Sequence, residues 1–331
     1  MNPRTNISEK KVLIIDIVHK AFVDILSGSG FVFTDGTQMT KVEINNIIEQ
    51  FNGLIIRSRF ELDNDLLTKA TQLKFIARAG AGMENINVDF ATSKGIACLN
   101  APEGNRNAVG EHSLAMLLAL FNKIAIVDSQ VRKGIWKREE NRGIELEGKT
   151  IGIIGCGNMG SAFAKTLSGF NVEVLVYDKY VKVDRKVNPN IRQVELLDIY
   201  NNANIISLHI PLTAETRYMV NHSFISNFKK EIYVINTARG KVIKTDDLVA
   251  NIKDGKVLGA CLDVIEYEGI SFEQLIDEQL PESWQYLISS DKVLLSPHIA
   301  GWSFESYQKI SEVLALKVLD IYNIKYENNI A

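Results

Sequence analysis

Cysteine is scarce in this chain, and its spacing argues against two kinds of site. The 331 residues include three cysteines, Cys98, Cys156 and Cys261. An odd number of widely separated cysteines in apolar runs argues against a disulfide framework and favours a reducing compartment. None of them has a partner at a zinc-type spacing, so we predict no metal site.

Excess charge and long apolar runs are also missing from the sequence. The formal net charge is −3, the pI is about 6.0, and no basic stripe indicates nucleic-acid binding. Residues 1–11 are polar and lack the apolar centre of a signal peptide. Because no apolar run is long enough to span a bilayer, we predict a cytoplasmic protein without membrane association.

What the chain does contain is an alternation of short apolar runs with helical segments. Such alternation is typical of parallel βαβ units with helices on both faces of the sheet. Two series of these units predict an α/β fold with two doubly wound parallel sheets, of the Rossmann or flavodoxin kind. Strands are predicted near residues 12–16, 54–56, 75–78 and 96–99, and in the second series near residues 150–154, 173–177, 205–209, 232–236, 257–262 and 293–295.

Two helical segments bear on the organisation of the chain. Residues 107–126 are apolar and rich in helix formers, which predicts either a buried helix or one with an apolar face for another subunit. A helix over about residues 304–326 follows the last strand and could fold back on the first domain. Residues 268–291 are acidic and irregular, and are the hardest part to assign.

A glycine-rich loop follows the first strand of the second series. The sequence IGIIGCGNMG (residues 151–160) places Gly155, Gly157 and Gly160 between an apolar strand and a helical segment. Gly155 permits a tight turn, Gly157 lets the backbone approach a pyrophosphate, and Gly160 lets the helix pack closely on the strand. The helix N-terminus then presents unpaired N–H groups to the phosphates.

An acidic residue favours this interpretation over a glycine-rich turn without a ligand. Asp178 ends the next predicted strand, near the separation of about 20 residues expected of the acid that binds the adenosine ribose. A carboxylate there accepts hydrogen bonds from the ribose hydroxyls and repels a 2′-phosphate, which favours NAD over NADP. Lys179 complicates this preference, since a cation beside the ribose could tolerate a phosphate.

Three polar residues follow predicted strands of the second series, where open parallel sheets usually carry their sites. They are Arg239 in VINTARG, Glu268 in IEYEG and His298 in SPHIAG. Histidine can take the proton of a hydroxyl during hydride transfer, and a carboxylate beside it would orient the ring. Arginine can clamp a substrate carboxylate at two points. Each residue alone could equally be structural.

Seven short segments, spread over nearly the whole chain, carry a resemblance to a known family. They are RAGAGMENINV (residues 78–88), NAVGEH (107–112), GIIGCGNMG (152–160), LHIPLTAET (208–216), INTARGKVI (235–243), GACLDVIEYE (259–268) and SPHIAG (296–301). In these segments and in their order the chain resembles the D-isomer-specific 2-hydroxyacid dehydrogenases. The resemblance implies hydride transfer between a nicotinamide ring and the 2-carbon of a D-2-hydroxy acid.

The resemblance also implies roles for individual residues. Arg239 would bind the carboxylate and carbonyl oxygen of the substrate, His298 would be the acid/base, and Glu268, rather than Glu266, would orient it. The backbone of residues 79–82 would touch the substrate carboxylate; these residues are Ala79, Gly80, Ala81 and Gly82. Besides the glycine loop, the residues expected to contact NAD are Asn158, Met159, Asp178, Ile210, Pro211, Thr237, Ala238 and Asp263.

A split domain arrangement follows from the same resemblance. Residues 1–104 and 299–331 would form the substrate domain, and residues 105–298 would form an NAD-binding domain inserted into it. The helix that begins near Asn107 would be the dimerisation element, so a homodimer is expected. The chain stops near Ala331, so feedback control through a C-terminal regulatory domain is not expected.

Arg57, Ser58 and Arg78 bear on the identity of the substrate. The two arginines match positions that hold the substrate phosphate in the phosphoglycerate dehydrogenase branch, and such a pair makes a credible dianion site. Arg57 or Arg59 could instead cap the strand and pair with an acid such as Glu61.

We therefore predict D-3-phosphoglycerate as the substrate, with a reductase of glyoxylate, hydroxypyruvate or another D-2-keto acid as the alternative. Trp302 could form an apolar wall, which would favour the alternative. A rival of another class is a non-catalytic, NAD-sensing corepressor, which shares the fold and keeps the same residues. The lack of basic or peptide-recruiting tails favours an enzyme.

Overall fold

The structure is a computed structural model, and it describes residues 9–183, 191–269 and 281–326. These residues divide into two compact units. The first comprises residues 9–105 and 303–326, and the second comprises residues 106–183, 191–269 and 281–302.

Within the described ranges the strands are β1 (Lys10–Ile14), β2 (Phe31–Asp35), β3 (Gly53–Ile56), β4 (Phe75–Arg78), β5 (Ala97–Leu99), β6 (Thr150–Ile154), β7 (Glu173–Tyr177), β8 (Ile191–Gln193), β9 (Ile205–Leu208), β10 (Ile232–Asn236), β11 (Val257–Leu262) and β12 (Val293–Leu295). The α-helices are α1 (Ala21–Ser27), α2 (Lys41–Ile47), α3 (Asn64–Lys69), α4 (Val88–Ser93), α5 (Pro102–Phe121), α6 (Ile124–Arg132), α7 (Asn158–Thr166), α8 (Leu196–Asn202), α9 (His222–Ser226), α10 (Thr245–Lys253), α11 (Glu282–Ser289) and α12 (Phe304–Ile321).

The first unit is built on a parallel sheet with the strand order β2-β1-β3-β4-β5. Successive residues of its strands enter two separate cores, because side chains alternate between the faces of a sheet. Leu13 and Leu54 belong to one core, while Val12 and Ile55 belong to the other, together with Leu314 of α12. Because both faces of this sheet are covered, its strands are continuous apolar runs in the sequence.

The second unit is built on a parallel sheet with the order β12-β11-β10-β9-β6-β7-β8. From β6 the chain adds strands in one direction through β8 and then returns to add β9 to β12 on the other side. The order of both sheets confirms the predicted fold class of two doubly wound parallel sheets. In such sheets the crevice for a ligand opens where the order reverses, here between β6 and β9.

The sequence reading missed several short elements. β2 and β8 lie at sheet edges and were not predicted, because each is partly exposed and of mixed composition. Helix α2 begins with a capping box in which Thr40 and Glu43 bond each other's backbone N–H groups, a signal that could have been recognised. Helix α11 falls in the region that was hardest to assign, and residues 270–280 of that region lie outside the described residues.

The long apolar segment predicted as one helix over residues 107–126 is two helices, so that prediction was wrong. Helix α5 begins earlier, at Pro102, in keeping with the preference of proline for the first turn of a helix. It ends at Phe121, and Lys123 then adopts the left-handed conformation with φ 52° before α6 begins. Within the described residues no single helix has the length and apolar character needed to cross a membrane; the pair α5 and α6, bent by 58°, meets that test by length and composition alone.

Candidate active site

The glycine loop joins β6 to α7 at the point where the strand order reverses. Gly155 has φ 90°, and a Cβ there would lie 2.5 Å from the carbonyl oxygen of His209, so a side chain is excluded on both grounds. A Cβ on Gly160 would lie 2.0 Å from the carbonyl oxygen of Gly155. The start of α7 therefore packs directly on the loop, as close helix-strand packing requires.

Gly157 differs from the other two glycines, because, its chain neighbours apart, no atom of the described residues lies within 4 Å of where its Cβ would be. It precedes Asn158, the first residue of α7, and no described side chain caps this helix. The first N–H groups of a helix have no partners within it and attract anions. Open space beside Gly157 and an uncapped helix start fit the pyrophosphate of a dinucleotide.

Asp178 lies directly after β7 and bonds the glycine loop. Its Oδ2 accepts a hydrogen bond from the backbone N–H of Cys156 at 2.6 Å. Its Oδ1 accepts from the N–H groups of Tyr180 and Val181, each at 2.8 Å. The carboxylate is thereby held beside the loop, where a ribose hydroxyl could donate to it.

His298 and Glu268 form a close pair, although 30 residues separate them in sequence. Nδ1 of His298 lies 2.6 Å from Oε2 of Glu268, and both side chains are largely buried. The other carboxylate oxygen, Oε1, accepts a short hydrogen bond from the backbone N–H of Ile265. Because a carboxylate can only accept, Nδ1 carries the proton, and Nε2 is the nitrogen through which the ring can exchange a proton with a substrate.

The backbone of His298 is in an uncommon conformation, with φ 55°. Such a conformation in a residue other than glycine costs about 1–3 kcal/mol and persists only when its surroundings hold it. Here the N–H of His298 donates to the carbonyl oxygen of Asp263 at 2.7 Å. The Asp263 carboxylate accepts from the N–H groups of Ile299 and Ala300, each at 2.9 Å, so one residue holds three consecutive amides.

Two side chains for which the sequence predicted no role, Ser296 and His112, complete this arrangement. The hydroxyl of Ser296 donates to Oδ1 of Asp263 at 2.6 Å, and Nε2 of His112 lies 3.0 Å from the same hydroxyl oxygen. Burial would raise the pKa of Asp263, but the hydrogen bonds from His112, Ser296 and the backbone outweigh it and lower that pKa. The carboxylate therefore stays ionised; its bonds with Ser296, Ile299 and Ala300 hold the loop that carries His298, and His112 approaches it from α5. His112 lies in the NAVGEH segment, so its presence in a matching segment was the available signal.

Arg239 follows β10, and the glycine after it explains its position. A Cβ on Gly240 would lie 1.9 Å from the carbonyl oxygen of Ile265, so the loops after β10 and β11 touch through backbone atoms. Nη1 of Arg239 donates to the carbonyl oxygen of Ala238 at 2.7 Å. Thr237 is buried, and its hydroxyl lies 3.1 Å from that of Ser113. The residues predicted around the reacting centre thus lie on neighbouring loops of one sheet.

In the first unit, Asp16 lies just beyond β1, and its carboxylate binds the loop after β3. Its Oδ2 accepts from the N–H groups of Arg57, Ser58 and Arg59 at 3.0, 2.9 and 3.1 Å. Three successive N–H groups that converge on one point would suit a bound anion, but a carboxylate of the chain already occupies that point. Any phosphate near this loop would have to be bound by side chains.

The arginines near this loop have different surroundings. Arg59 donates through Nη1 to the carbonyl oxygens of Ile15 and Gly36, each at 3.1 Å, so it caps the neighbouring strands as the structural alternative proposed. Arg78 ends β4, which is paired with β3, and it is buried. A Cβ on Gly80 would lie 1.7 Å from Nη1 of Arg78, which shows that the guanidinium lies over the loop of residues 79–82.

Among residues 9–183, 191–269 and 281–326, no group of three or more histidine, cysteine, aspartate or glutamate side chains is arranged to hold a metal ion.

A comparison with known proteins identifies the class to which this fold and site belong. Residues 114–300, more than half of the chain, match the model of the D-isomer specific 2-hydroxyacid dehydrogenase, NAD binding domain. The chain belongs to the D-isomer-specific 2-hydroxyacid dehydrogenase family, and NAD is the cofactor of the matched domain.

Individual relatives carry different names. The chain is 31% identical to D-3-phosphoglycerate dehydrogenase of Archaeoglobus fulgidus over 94% of its own length, but it spans only 57% of that relative. It is also 31% identical to hydroxypyruvate reductase of Thermotoga maritima, over 93% of this chain and 97% of the relative. Among solved structures, D-lactate dehydrogenase of Aquifex aeolicus, complexed with NAD and lactic acid, superposes with a TM-score of 0.78 at 28% identity over 95% of each chain.

Proposed function

We propose that this protein interconverts a D-2-hydroxy acid and the corresponding 2-keto acid, with NAD as the hydride carrier. The observation that carries the proposal is the Glu268–His298 pair, at 2.6 Å, on a loop held by Asp263. A histidine with a fixed tautomer suits an alcohol dehydrogenation, in a domain that also carries a dinucleotide loop and, after β10 of the same sheet, Arg239. NAD would be held by the glycine loop and Asp178, and would supply the nicotinamide as hydride acceptor for the 2-carbon.

The residues of this chain handle the proton and the charge. In the oxidative direction Nε2 of His298 takes the proton of the substrate hydroxyl, and Glu268 stabilises the imidazolium that results. Arg239 binds the substrate carboxylate and polarises the developing carbonyl oxygen. In the reductive direction the imidazolium returns the same proton to the carbonyl oxygen.

A panel of 2-keto acids assayed with NADH, with phosphohydroxypyruvate included, tests the proposal. We expect NADH consumption with at least one 2-keto acid, and a large loss of that activity in a His298→Ala variant that still binds NADH. A protein that binds NADH but reduces no member of the panel would instead support the non-catalytic sensor.

For the substrate we propose D-3-phosphoglycerate. Arg57 directly follows β3, and Arg78 is the last residue of the adjacent strand β4. Arg78 also lies over the backbone of Gly80. We expect Arg57→Ala to raise the KM for 3-phosphoglycerate by about tenfold or more, because a charge-assisted bond to phosphate is lost. The KM for D-lactate, measured in parallel, should change little, and equal effects on the two substrates would argue against a phosphate site.

One observation favours an unphosphorylated substrate such as hydroxypyruvate as the second candidate. Asp16 places a carboxylate on the N–H groups of residues 57–59, including that of Arg57 itself. A negative charge so close to Arg57 opposes the binding of a dianion. The keto-acid panel separates the two candidates, since only the first predicts a clear preference for phosphohydroxypyruvate.

We also propose a homodimer. The sequence predicts an interface on the helix that contains Asn107, which is α5, whereas exposed apolar side chains favour α6 and the residues that follow it. Helix α6 has no buried residue among Ile124–Arg132, although Ile124, Val127 and Val131 share a face. Ile124, Val131 and Trp136 are 53%, 51% and 77% exposed. Light scattering should show a dimer that becomes a monomer in Trp136→Asp, whereas Phe304→Asp, at an aromatic side chain 94% exposed outside this surface, should remain dimeric.

A further inference from the structure

Lys179, Tyr180 and Glu215 form an exposed cluster beside the residue expected to bind the adenosine ribose. Oε1 of Glu215 lies 2.5 Å from Nζ of Lys179, and Oε2 accepts a hydrogen bond from the Tyr180 hydroxyl at 2.8 Å. Both oxygens of one carboxylate are therefore engaged by the two residues that directly follow Asp178. Each member of the ion pair is about half exposed.

The sheet order makes this cluster span the cofactor crevice. Lys179 belongs to the loop after β7 and Glu215 to the loop after β9, while β6 and its glycine loop lie between them. The loop after β9 is stiffened by Thr216, whose hydroxyl donates to the carbonyl oxygen of Pro211 at 2.6 Å and accepts from the N–H of Thr213 at 2.8 Å. Glu215 thus extends from an internally bonded turn, so its reach to Lys179 is a property of the loop.

The charges near Asp178 are organised around two such pairs. A cavity of about 610 Å³ is lined by Asp178, Lys179, Glu195 and Asp198, and by Arg192. Among the described residues of its lining, the two cations are each bonded to a glutamate: Lys179 to Glu215, and Arg192 to Glu173 at 2.7 Å. Bonding to Glu215 and Tyr180 raises the pKa of Lys179, and bonding to Lys179 and Tyr180 lowers that of Glu215, so both remain charged near neutral pH.

We propose that Glu215 is a second determinant of cofactor choice, which keeps Lys179 and Tyr180 from binding the 2′-phosphate of NADP. Lys179 by itself would favour a phosphate beside the ribose, because a cation and a hydroxyl are typical phosphate ligands. In the wild type a 2′-phosphate would be repelled by the carboxylate of Asp178 and by that of Glu215, which is bonded to Lys179. The inference rests on the proposed function only in that Asp178 binds the adenosine ribose.

The proposal predicts that the two carboxylates act together. Removal of Asp178 alone leaves Lys179 bound to Glu215, and removal of Glu215 alone leaves the repulsion from Asp178. Only the double variant removes both the carboxylate that bonds Lys179 and the carboxylate of Asp178, while Glu195 and Asp198 stay in every variant. Its gain in phosphate binding should therefore exceed the product of the single gains. The Lys179–Glu215 ion pair is exposed and contributes little to stability, so Glu215→Gln should fold normally. Asp178→Ala also removes the acceptor of three backbone N–H groups, so its affinity for 5′-AMP, which is measured in the same experiment, reports whether the glycine loop keeps its shape.

Calorimetric titration of the purified full chain with 5′-AMP and with adenosine 2′,5′-bisphosphate tests the proposal without relying on turnover. The measured quantity is the ratio of the two dissociation constants. We expect Glu215→Gln to shift that ratio toward the bisphosphate by about threefold, Asp178→Ala by about tenfold, and the double variant by about a hundredfold. Adding Lys179→Ala to the double variant should abolish most of the gain.

The matched control is Glu103→Gln, which removes the carboxylate of another lysine–glutamate pair, with Lys317, that does not line this cavity. It should leave the ratio unchanged, and a shift equal to that of Glu215→Gln would reduce the effect to net charge and overturn the proposal. So would single and double variants whose effects simply multiply. If the wild type fails to bind 5′-AMP, the cofactor site itself is wrong, whereas normal 5′-AMP binding with an unchanged ratio in Glu215→Gln contradicts this inference alone.

Discussion

Each of the two sheets places an aspartate just beyond a strand and uses its carboxylate to hold a neighbouring loop. In the first unit, one oxygen of Asp16 accepts three consecutive N–H groups from the loop after β3. In the second unit, Asp178 accepts one N–H from the glycine loop and two from its own turn. The same arrangement has opposite consequences for ligand binding in the two units.

Asp16 fills the anion-binding position of its loop, so only side chains remain to bind a substrate there. Asp178 is bonded to Cys156, one residue before Gly157, and the space beside Gly157 and the start of α7 stay open. A loop of converging N–H groups therefore does not by itself define a phosphate site. What the carboxylate beside it engages decides whether the loop is a structural element or a binding surface.

The largest effect should come from replacing His298, because the proposed proton transfer takes place at this residue of the second unit. Replacing it with asparagine removes the group that exchanges the proton, so kcat should fall by about 10²–10⁴-fold. The dissociation constant of NADH, measured by fluorescence titration, should stay within about twofold of the wild type. An unchanged kcat would remove His298 from the mechanism.

Asp263 is a third aspartate that directly follows a strand, here β11. Asp263→Asn leaves one acceptor where the carboxylate served two N–H groups and a hydroxyl, so we expect a loss of about 3 kcal/mol in the free energy of unfolding and a lower kcat. Because folding lowers the pKa of this carboxyl, its contribution is present above about pH 4 and is lost as the pH falls through the folded-state pKa. Urea unfolding of both proteins between pH 3 and pH 7 should show the difference shrinking at the acidic end; a constant difference would show that ionisation is unimportant.

Asp16→Asn tests whether the first aspartate is structural. Loss of a charged acceptor for three N–H groups should lower the free energy of unfolding by about 2 kcal/mol, since Asp16 is only partly buried. The dissociation constant of NADH should not change, because the cofactor site belongs to the second unit. Tighter binding of 3-phosphoglycerate in this variant would show that Asp16 opposes a phosphate, in favour of the unphosphorylated candidate.

The smallest effect separates two glycines of one loop. Gly157→Ala adds a methyl group to open space at φ −73°, so the protein should fold normally while NADH binds about tenfold more weakly. Gly160→Ala places its Cβ against the Gly155 carbonyl oxygen and should lower the thermal midpoint instead. Thermal melts and NADH titrations of both variants decide the matter, and equal NADH affinity in Gly157→Ala and wild type would contradict the open-site interpretation.

Much of this fold could be predicted from the sequence, because parallel sheets covered on both faces need uninterrupted apolar strands. The strands from β6 to β7 and from β9 to β12 coincide with apolar runs, and the glycine loop lies where its spacing predicts. The missed elements, β2 and β8, are sheet edges with mixed composition, where pairing to one neighbour replaces burial as the cause of structure. The break at Lys123 escaped prediction because its causes are local turn geometry and packing.

By itself the sequence determined the order of the strands along the chain, the conformational needs of Gly155 and Gly160, and the residue types of Arg239, Glu268 and His298. These depend on local sterics and on chemistry that each residue carries with it. Only the tertiary structure decided which partners these residues have: that Asp263, Ser296 and His112 hold the loop of His298, that Asp16 fills the loop after β3, and that Glu215 engages Lys179. Apart from His112, which lies on α5, these partners come from loops far apart in sequence, and they meet because parallel strands bring their carboxyl ends to one edge of a sheet.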